Sequence, residues 1–131
     1  LEVKIDGLDS ILQKLSILNV DEALENKALN KAGKLTQEAI IDEAPVDQGV
    51  LKKNIKLSRP KNGEAVIHTG GAYHAHLIEL GRSGGSTTTK KGKKVSWGST
   101  APNPFFSRGF EQSKNTAKQA MIDELKKGLK L

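Results

Sequence analysis

The chain has 131 residues, 36% of them hydrophobic and 4% aromatic, no cysteine, and a formal net charge of +6. That length suits one domain over residues 1–131, with a lean core of Leu, Ile, Val and Ala that leaves some apolar surface for a partner to complete. Disulfides and thiolate metal sites are excluded, and no apolar run approaches the roughly 20 residues of a membrane span.

No signal-peptide pattern opens the chain, and a start at Leu1 is expected of a trimmed product or an unusual start codon. Leu8, Ile11, Leu12, Leu15 and Leu18 recur at helical spacing, which predicts a helix from about residue 8 to 18 with Asp6 as its N-cap. Asp21 caps a second helix. Its Leu24, Ala28, Ala32, Leu35 and Ala39 carry it to Ala44, roughly 36 Å at 1.5 Å per residue. Gly33 inside it costs about 1 kcal/mol relative to Ala, and the close approach of a neighbouring element accounts for that choice. Pro45 disfavours a helical conformation at Ala44 and ends the helix. Asp47 is then placed to cap one new turn carrying Leu51 and Ile55 on one side. Gly49 suits a spot where a side chain would collide or φ must be unusual.

Ile55 to Ser58 alternates apolar and polar, as a half-buried strand does. Asn62-Gly63 marks the turn over 59–63, and Glu64 to Thr69 is expected to pair back antiparallel. Tyr73, Leu77 and Leu80 fall on one face of a short helix ended by Gly81. Residues 82–94 are almost wholly Gly, Ser, Thr and Lys, the composition of a mobile loop. A short strand at Val95-Ser96-Trp97 follows. Asn103 and Pro104 then start a long final helix as N-cap and N1, with an apolar stripe of Phe106, Phe110, Ala117, Met121 and Leu125. The fold class is α+β. Two N-terminal helices and a long C-terminal helix pack on a small antiparallel β-sheet, with a long mobile basic loop.

Candidate chemistry is sparse. His74, His76 and Glu79, with His68, are the one grouping that resembles metal ligands. Positions i and i+2 diverge by about 200° on a helix, so these residues read as surface packing, with Glu79 hydrogen-bonded near Gly81. No Ser or Thr sits on a nucleophile elbow, and no phosphate-binding loop is present; Gly81 to Gly85 leads into a polar tract instead of a helix. Asp42, Glu43 and Asp47 read as a solvated face, a helix end and a cap. We therefore expect no catalytic site, no metal and no cofactor. Arg82, Lys90, Lys91, Lys93 and Lys94 form the dense basic segment. It either keeps an exposed loop soluble or faces an acidic neighbouring subunit or DNA phosphates. Duplex contacts would carry a log–log salt slope near −0.9 each. Trp97 is expected in the core rather than stacked on bases.

The segment from Ala44 to Ile55 resembles the A-P-V-D-T-G-x-L-R-x-S-I signature of a siphophage family, the head–tail joining, neck or tail-completion proteins. Gln48 stands for the usual Thr, Lys52 for Arg and Asn54 for Ser. Tyr73 to Gly81 is similar to the family's Y-A-x-x-x-E-x-G element, with one extra residue before Glu79. Ala101 to Phe110 is similar to P-x-P-F-L-R-P-A-F, with Phe106 for Leu and Ser107-Arg108 shifting the basic residue. The opening Val3 to Asp9 resembles the family start, so the resemblance covers nearly the whole chain. It implies a structural role for Pro45, Asp47, Gly49, Leu51, Ile55, Tyr73, Glu79, Gly81, Pro104, Phe105, Phe106 and Phe110.

The same resemblance implies a non-enzymatic virion protein, assembled in the host cytoplasm, that joins head to tail or completes the tail end. It would form a homo-oligomeric ring that docks on other neck or tail proteins, with no membrane contact and possible non-specific DNA contact. The residues alone leave two alternatives open. One is a small basic nucleic-acid-binding module acting through Lys90 to Lys94. The other is a metal-dependent nuclease using His74, His76 and Glu79.

Overall fold

A computed structural model of the chain describes residues 1–15, 20–45, 49–70 and 74–131. Strand β1 (Glu2–Ile5) turns at Gly7, whose φ of 81° suits glycine, into helix α1 (Leu8–Lys14). Gly7 holds the N-cap position and no side chain caps this helix, so Asp6 does not play the part its sequence position suggested. The reversal straight after β1 needs a positive φ there, and Asp6 lies one residue too early. Leu8 and Ile11 are buried, and the amide of Leu15 bonds to Ile11 O at 3.0 Å. The rest of the expected first helix, residues 16–18, lies outside the described residues.

Helix α2 (Glu22–Glu43) begins where its cap predicts, with an Asp21 carboxylate oxygen accepting from the Leu24 amide at 2.8 Å. It ends at Ala44, which is extended at φ −67°, ψ 146° in front of Pro45. The short helix α3 (Gly49–Lys53) follows, and Leu51 and Ile55 are both buried. Asp47, the expected cap of this turn, lies outside the described residues. Gly49 is exposed and has no positive φ, and among the described residues a Cβ there would meet nothing within 4 Å. Gln37 of α2 donates from Nε2 to Ile55 O at 2.9 Å, tying the chain down before strand β2 (Lys56–Leu57).

Asn62 at φ 53° and Gly63 at φ 78° make the tight turn, with Lys61 and Glu64 exchanging amide bonds at 2.8 and 3.1 Å. Strand β3 (Ala65–His68) returns between β1 and β2, giving a wholly antiparallel sheet of order β1-β3-β2. Its register pairs Ile5 with Ala65 and Leu57 with Ile67. Ala65 and Ile67 are buried on the face that α2 covers. A Cβ on Gly33 would come within 2.7 Å of Leu57 Cδ1, so this glycine lets β2 lie against α2.

Helix α4 (Ala75–Leu80) ends at Gly81, and helix α5 (Phe105–Leu129) runs back antiparallel along α2. The pairing is a ladder: Leu24 meets Gly128, Lys27 and Lys31 meet Glu124, Thr36 meets Ser113, Ile40 meets Gly109, and Glu43 meets Arg108. Small buried residues are frequent on the two helices, including Ala28 and Ala32 on α2 and Gly109, Ser113, Ala117 and Ala120 on α5. They allow close backbone approach: a Cβ on Gly109 would sit 2.6 Å from Ile40 Cα. Ser113 Oγ donates to Thr36 Oγ1 at 3.0 Å, so the buried hydroxyls satisfy one another. The α+β class stands as expected, with α2 between the sheet and α5.

Residues 82–94, expected to lack regular structure, instead belong largely to a β-hairpin. Strands β4 (Gly85–Thr88) and β5 (Lys94–Trp97) pair antiparallel with Gly85 opposite Trp97 and Thr88 opposite Lys94. The turn closes through Thr89 N to Lys93 O at 2.8 Å and Gly92 N to Thr89 O at 2.9 Å, with Gly92 at φ 80°. Every residue from 82 to 102 is exposed. Cross-strand hydrogen bonds and β-prone threonines hold the hairpin without a core beneath it. We call it the arm.

Candidate interaction surface

The arm leaves the body at a tightly built root. Glu79, on α4, is only 6% exposed, and its carboxylate faces the first turn of α5. Oε2 accepts from the Phe106 amide at 2.9 Å, and Oε1 accepts from the Ser107 amide at 3.2 Å and from the Ser107 hydroxyl. The first amides of a helix have no partner within it, and the helix dipole favours negative charge there. Glu79 supplies both needs from 27 residues away. The expected N-cap, Asn103, is displaced: Pro104 holds the cap position with no side-chain bond of its own. Asn103 instead donates its amide to Ile78 O and accepts from Arg108 Nη2, both at 2.9 Å.

Gly81 completes the root. Its φ is 72°, and a Cβ would lie 2.6 Å from Thr100 O and 2.8 Å from Pro102 N. Arg82 and Thr100 exchange amide bonds at 3.0 and 2.8 Å, which fixes where the arm starts. Phe105 and Phe106 seat the helix start in the core as an edge-to-face pair, 6.2 Å between centroids. Phe110, half-buried, packs one turn further on. Arg108 Nε donates to Glu43, and that hydrogen bond holds the Glu43 carboxyl below its ordinary value. The structure therefore gathers Glu79, Gly81, Pro104, Phe105 and Phe106 at one place. Leu51 and Ile55 are in the core, and Tyr73 lies outside the described residues.

Two expectations about this region are corrected. Leu80 is 71% exposed, so it does not share a buried face of α4; the buried residues of that helix are Ala75 and Glu79. The pull of the α5 amides on Glu79 sets the face of so short a helix. Trp97 is not in the core but on the arm, 37% exposed, with its ring over Gly85 and Nε1 donating to Ser83 O at 3.1 Å.

Paired strand residues share a face, so the arm has two unlike sides. Trp97, Val95 and Thr87 lie on one, with Gly85 under the indole; Ser86, Ser96, Thr88 and Lys94 lie on the other. Val95 is 41% exposed, and no charge interrupts the apolar side. The tip carries Lys90, Lys91 and Lys93, and from 82 to 102 there are five basic residues and no acidic one. Sequence reasoning found the charge but missed the apolar face, because only the register puts Val95 and Trp97 beside Thr87.

The histidines do not converge on a ligand set. His68 Nδ1 accepts from the Gly70 amide at 3.1 Å, His74 precedes α4, His76 is exposed, and Glu79 is engaged by α5. Among the described residues no group of three or more His, Cys, Asp or Glu side chains is placed to hold a metal ion. Among them also, no helix is long and apolar enough to cross a membrane.

The family model described as "Bacteriophage HK97-gp10, putative tail-component" matches residues 6–81, from the turn before α1 to the glycine at the arm's root. The match spans the Pro45 junction and the Glu79-Gly81 element, while the arm and α5 lie beyond it. No curated protein and no solved structure matches the chain significantly. On this match, which covers more than half its length, the chain belongs to the HK97-gp10-like family of phage tail components.

Proposed function

We propose that this tail component is a non-enzymatic assembly protein that joins head to tail or completes the tail end as a homo-oligomeric ring. The observation that carries the reading is the arm, a β-hairpin wholly exposed along residues 82–102, with an apolar face and a basic tip. An exposed Trp and Val on an otherwise polar projection are the composition of an interface core, and basic residues around them steer an acidic partner. In this reading Trp97 and Val95 anchor the arm on a neighbouring subunit, and Arg82, Lys90, Lys91, Lys93 and Lys94 set its orientation. The body serves as a rigid mount, because Glu79 and Gly81 fix the arm's root.

Deleting the protein from its phage and imaging the particles tests the role. Filled heads lying apart from otherwise complete tails are expected, with normal virions restored by the wild-type chain. Normal virions without the protein would overturn the reading. Changing Lys90, Lys91, Lys93 and Lys94 to Ser and measuring binding of the purified protein to duplex DNA across a salt series separates partner docking from nucleic-acid binding. Tight binding that falls steeply with salt and vanishes in the variant would favour the nucleic-acid module instead.

A further inference from the structure

A second surface is bounded by elements other than the arm. Residues of β1, the Gly7 turn, α1 and α5 enclose a groove of about 340 Å³. Its floor is apolar, made by Ile5, Ile11, Ala117 and Met121, all buried, with Phe110 at one side. Its rim is basic. Lys4 from β1, Lys14 from α1, and Lys114 and Lys118 from α5 all border it, against the single carboxylate, among the described residues, of Asp6.

The lysines converge from three elements, so the charge belongs to the groove and is not the solvated face of one helix. Lys114 and Lys118 are four apart on α5, a spacing at which like charges repel until an anion relieves them. Lys4 makes one long ion pair, 4.0 Å from Glu64, with both side chains about half exposed. Among the described residues Lys14, Lys114 and Lys118 make no ion pair. A volume near the lower end of ligand-sized pockets admits a few side chains but not the backbone of a duplex. Phosphates would gain nothing from the Ile and Met floor, whereas apolar side chains would, and Met121 adapts its shape to what it meets.

We propose that this groove is a docking site for an acidic segment of another protein, with one or two apolar side chains on the floor and flanking carboxylates on the lysine rim. The partner is a virion protein if the tail-component role holds, but the site and its chemistry do not depend on the arm.

Fluorescence anisotropy with a labelled synthetic peptide of leucines set among Asp and Glu tests it on the purified full chain. Saturable binding is expected, weakened about tenfold or more by Lys114→Glu/Lys118→Glu and similarly by Ser10→Trp, which would fill the groove from an exposed position. A peptide with Ser in place of Leu should lose binding comparably, because charge alone does not suffice. Circular dichroism melts of both variants establish that they are folded. No saturation up to about 1 mM peptide, or binding indifferent to both variants, would overturn the proposal. So would tighter binding of a DNA oligonucleotide that the same lysine variant abolishes. Arm variants should bind the peptide normally, so failure of this proposal is distinguishable from failure of the assembly role.

Discussion

The seam between α2 and α5 and the arm are built from the same small residues, Gly, Ser, Thr and Ala, yet one is buried along its length and the other exposed throughout. In the seam, small side chains bring two helical backbones close enough that Gly109 lies against the Ile40 backbone, and Leu125 and Phe105 fill the flanks. In the arm, Gly85 to Thr88 have no core to face, and their order comes from the partner strand and the Trp97 indole. Composition did not decide between the two; the helical period of the large residues around the small ones did. Close packing thus characterises the seam, and full exposure characterises the arm. Glu79 and Gly81 are the joint between them.

The largest effect is expected in the core that the seam completes. Leu51→Ala removes a fully buried side chain and should lower unfolding free energy by roughly 2–5 kcal/mol in urea denaturation. Gly109→Ala is close behind, at about 3 kcal/mol. Its Cβ meets backbone atoms at 2.6 and 2.8 Å that cannot rotate away, unlike the end of a flexible side chain. A neutral Gly109→Ala would mean that the helices can separate at no cost and that the seam is not the rigid half of the comparison.

Glu79→Ala should cost about 2 kcal/mol, since it strips two amides and a hydroxyl of a charged acceptor at the start of α5. It should also speed amide exchange at Phe106 and Ser107 and at the root of the arm. Slow exchange there in the variant would show that another group caps the helix.

A smaller, pH-dependent effect is expected at Glu124, which is buried on α5. Hydrogen bonds from Lys31 and then Lys27 hold its carboxyl below the ordinary value of 4.5. A depressed folded-state value means the stabilisation is fully present above the unfolded-state value and is lost as pH falls through the folded one. Wild type should therefore exceed Glu124→Gln at neutral pH, and the two should converge in acid, below pH 4.5. A gap that stays constant across that window would remove the ion pairs from the account.

Much of this was legible in the chain itself. Asp21 before an apolar period, Pro45 after it, and Asn62-Gly63 between two strands are local signals, and each marks the boundary it names. Gly33 read correctly as a close approach, with Leu57 as the neighbour. The role of Glu79 was only half legible: a bond near Gly81 was foreseen, but a cap supplied across 27 residues leaves no local pattern. The stripe drawn through Leu80 failed because six residues are too few for a helical period to choose a face. Strand β1 did alternate, as Glu-Val-Lys-Ile, but its place depends on β3, more than 60 residues on. The arm was hidden because Gly, Ser and Thr without large apolar neighbours read as a loop, and register alone creates its apolar face.

The central claim, that the seam carries stability and the arm carries assembly, is tested most directly by one double variant, Val95→Ser/Trp97→Ser. It should be followed in urea denaturation and in complementation of a phage lacking the protein. The account predicts an unfolding free energy within about 0.5 kcal/mol of wild type. It also predicts a virion yield reduced about tenfold or more, as loss of an interface anchor would give. Wild-type yield from a stably folded variant would contradict it.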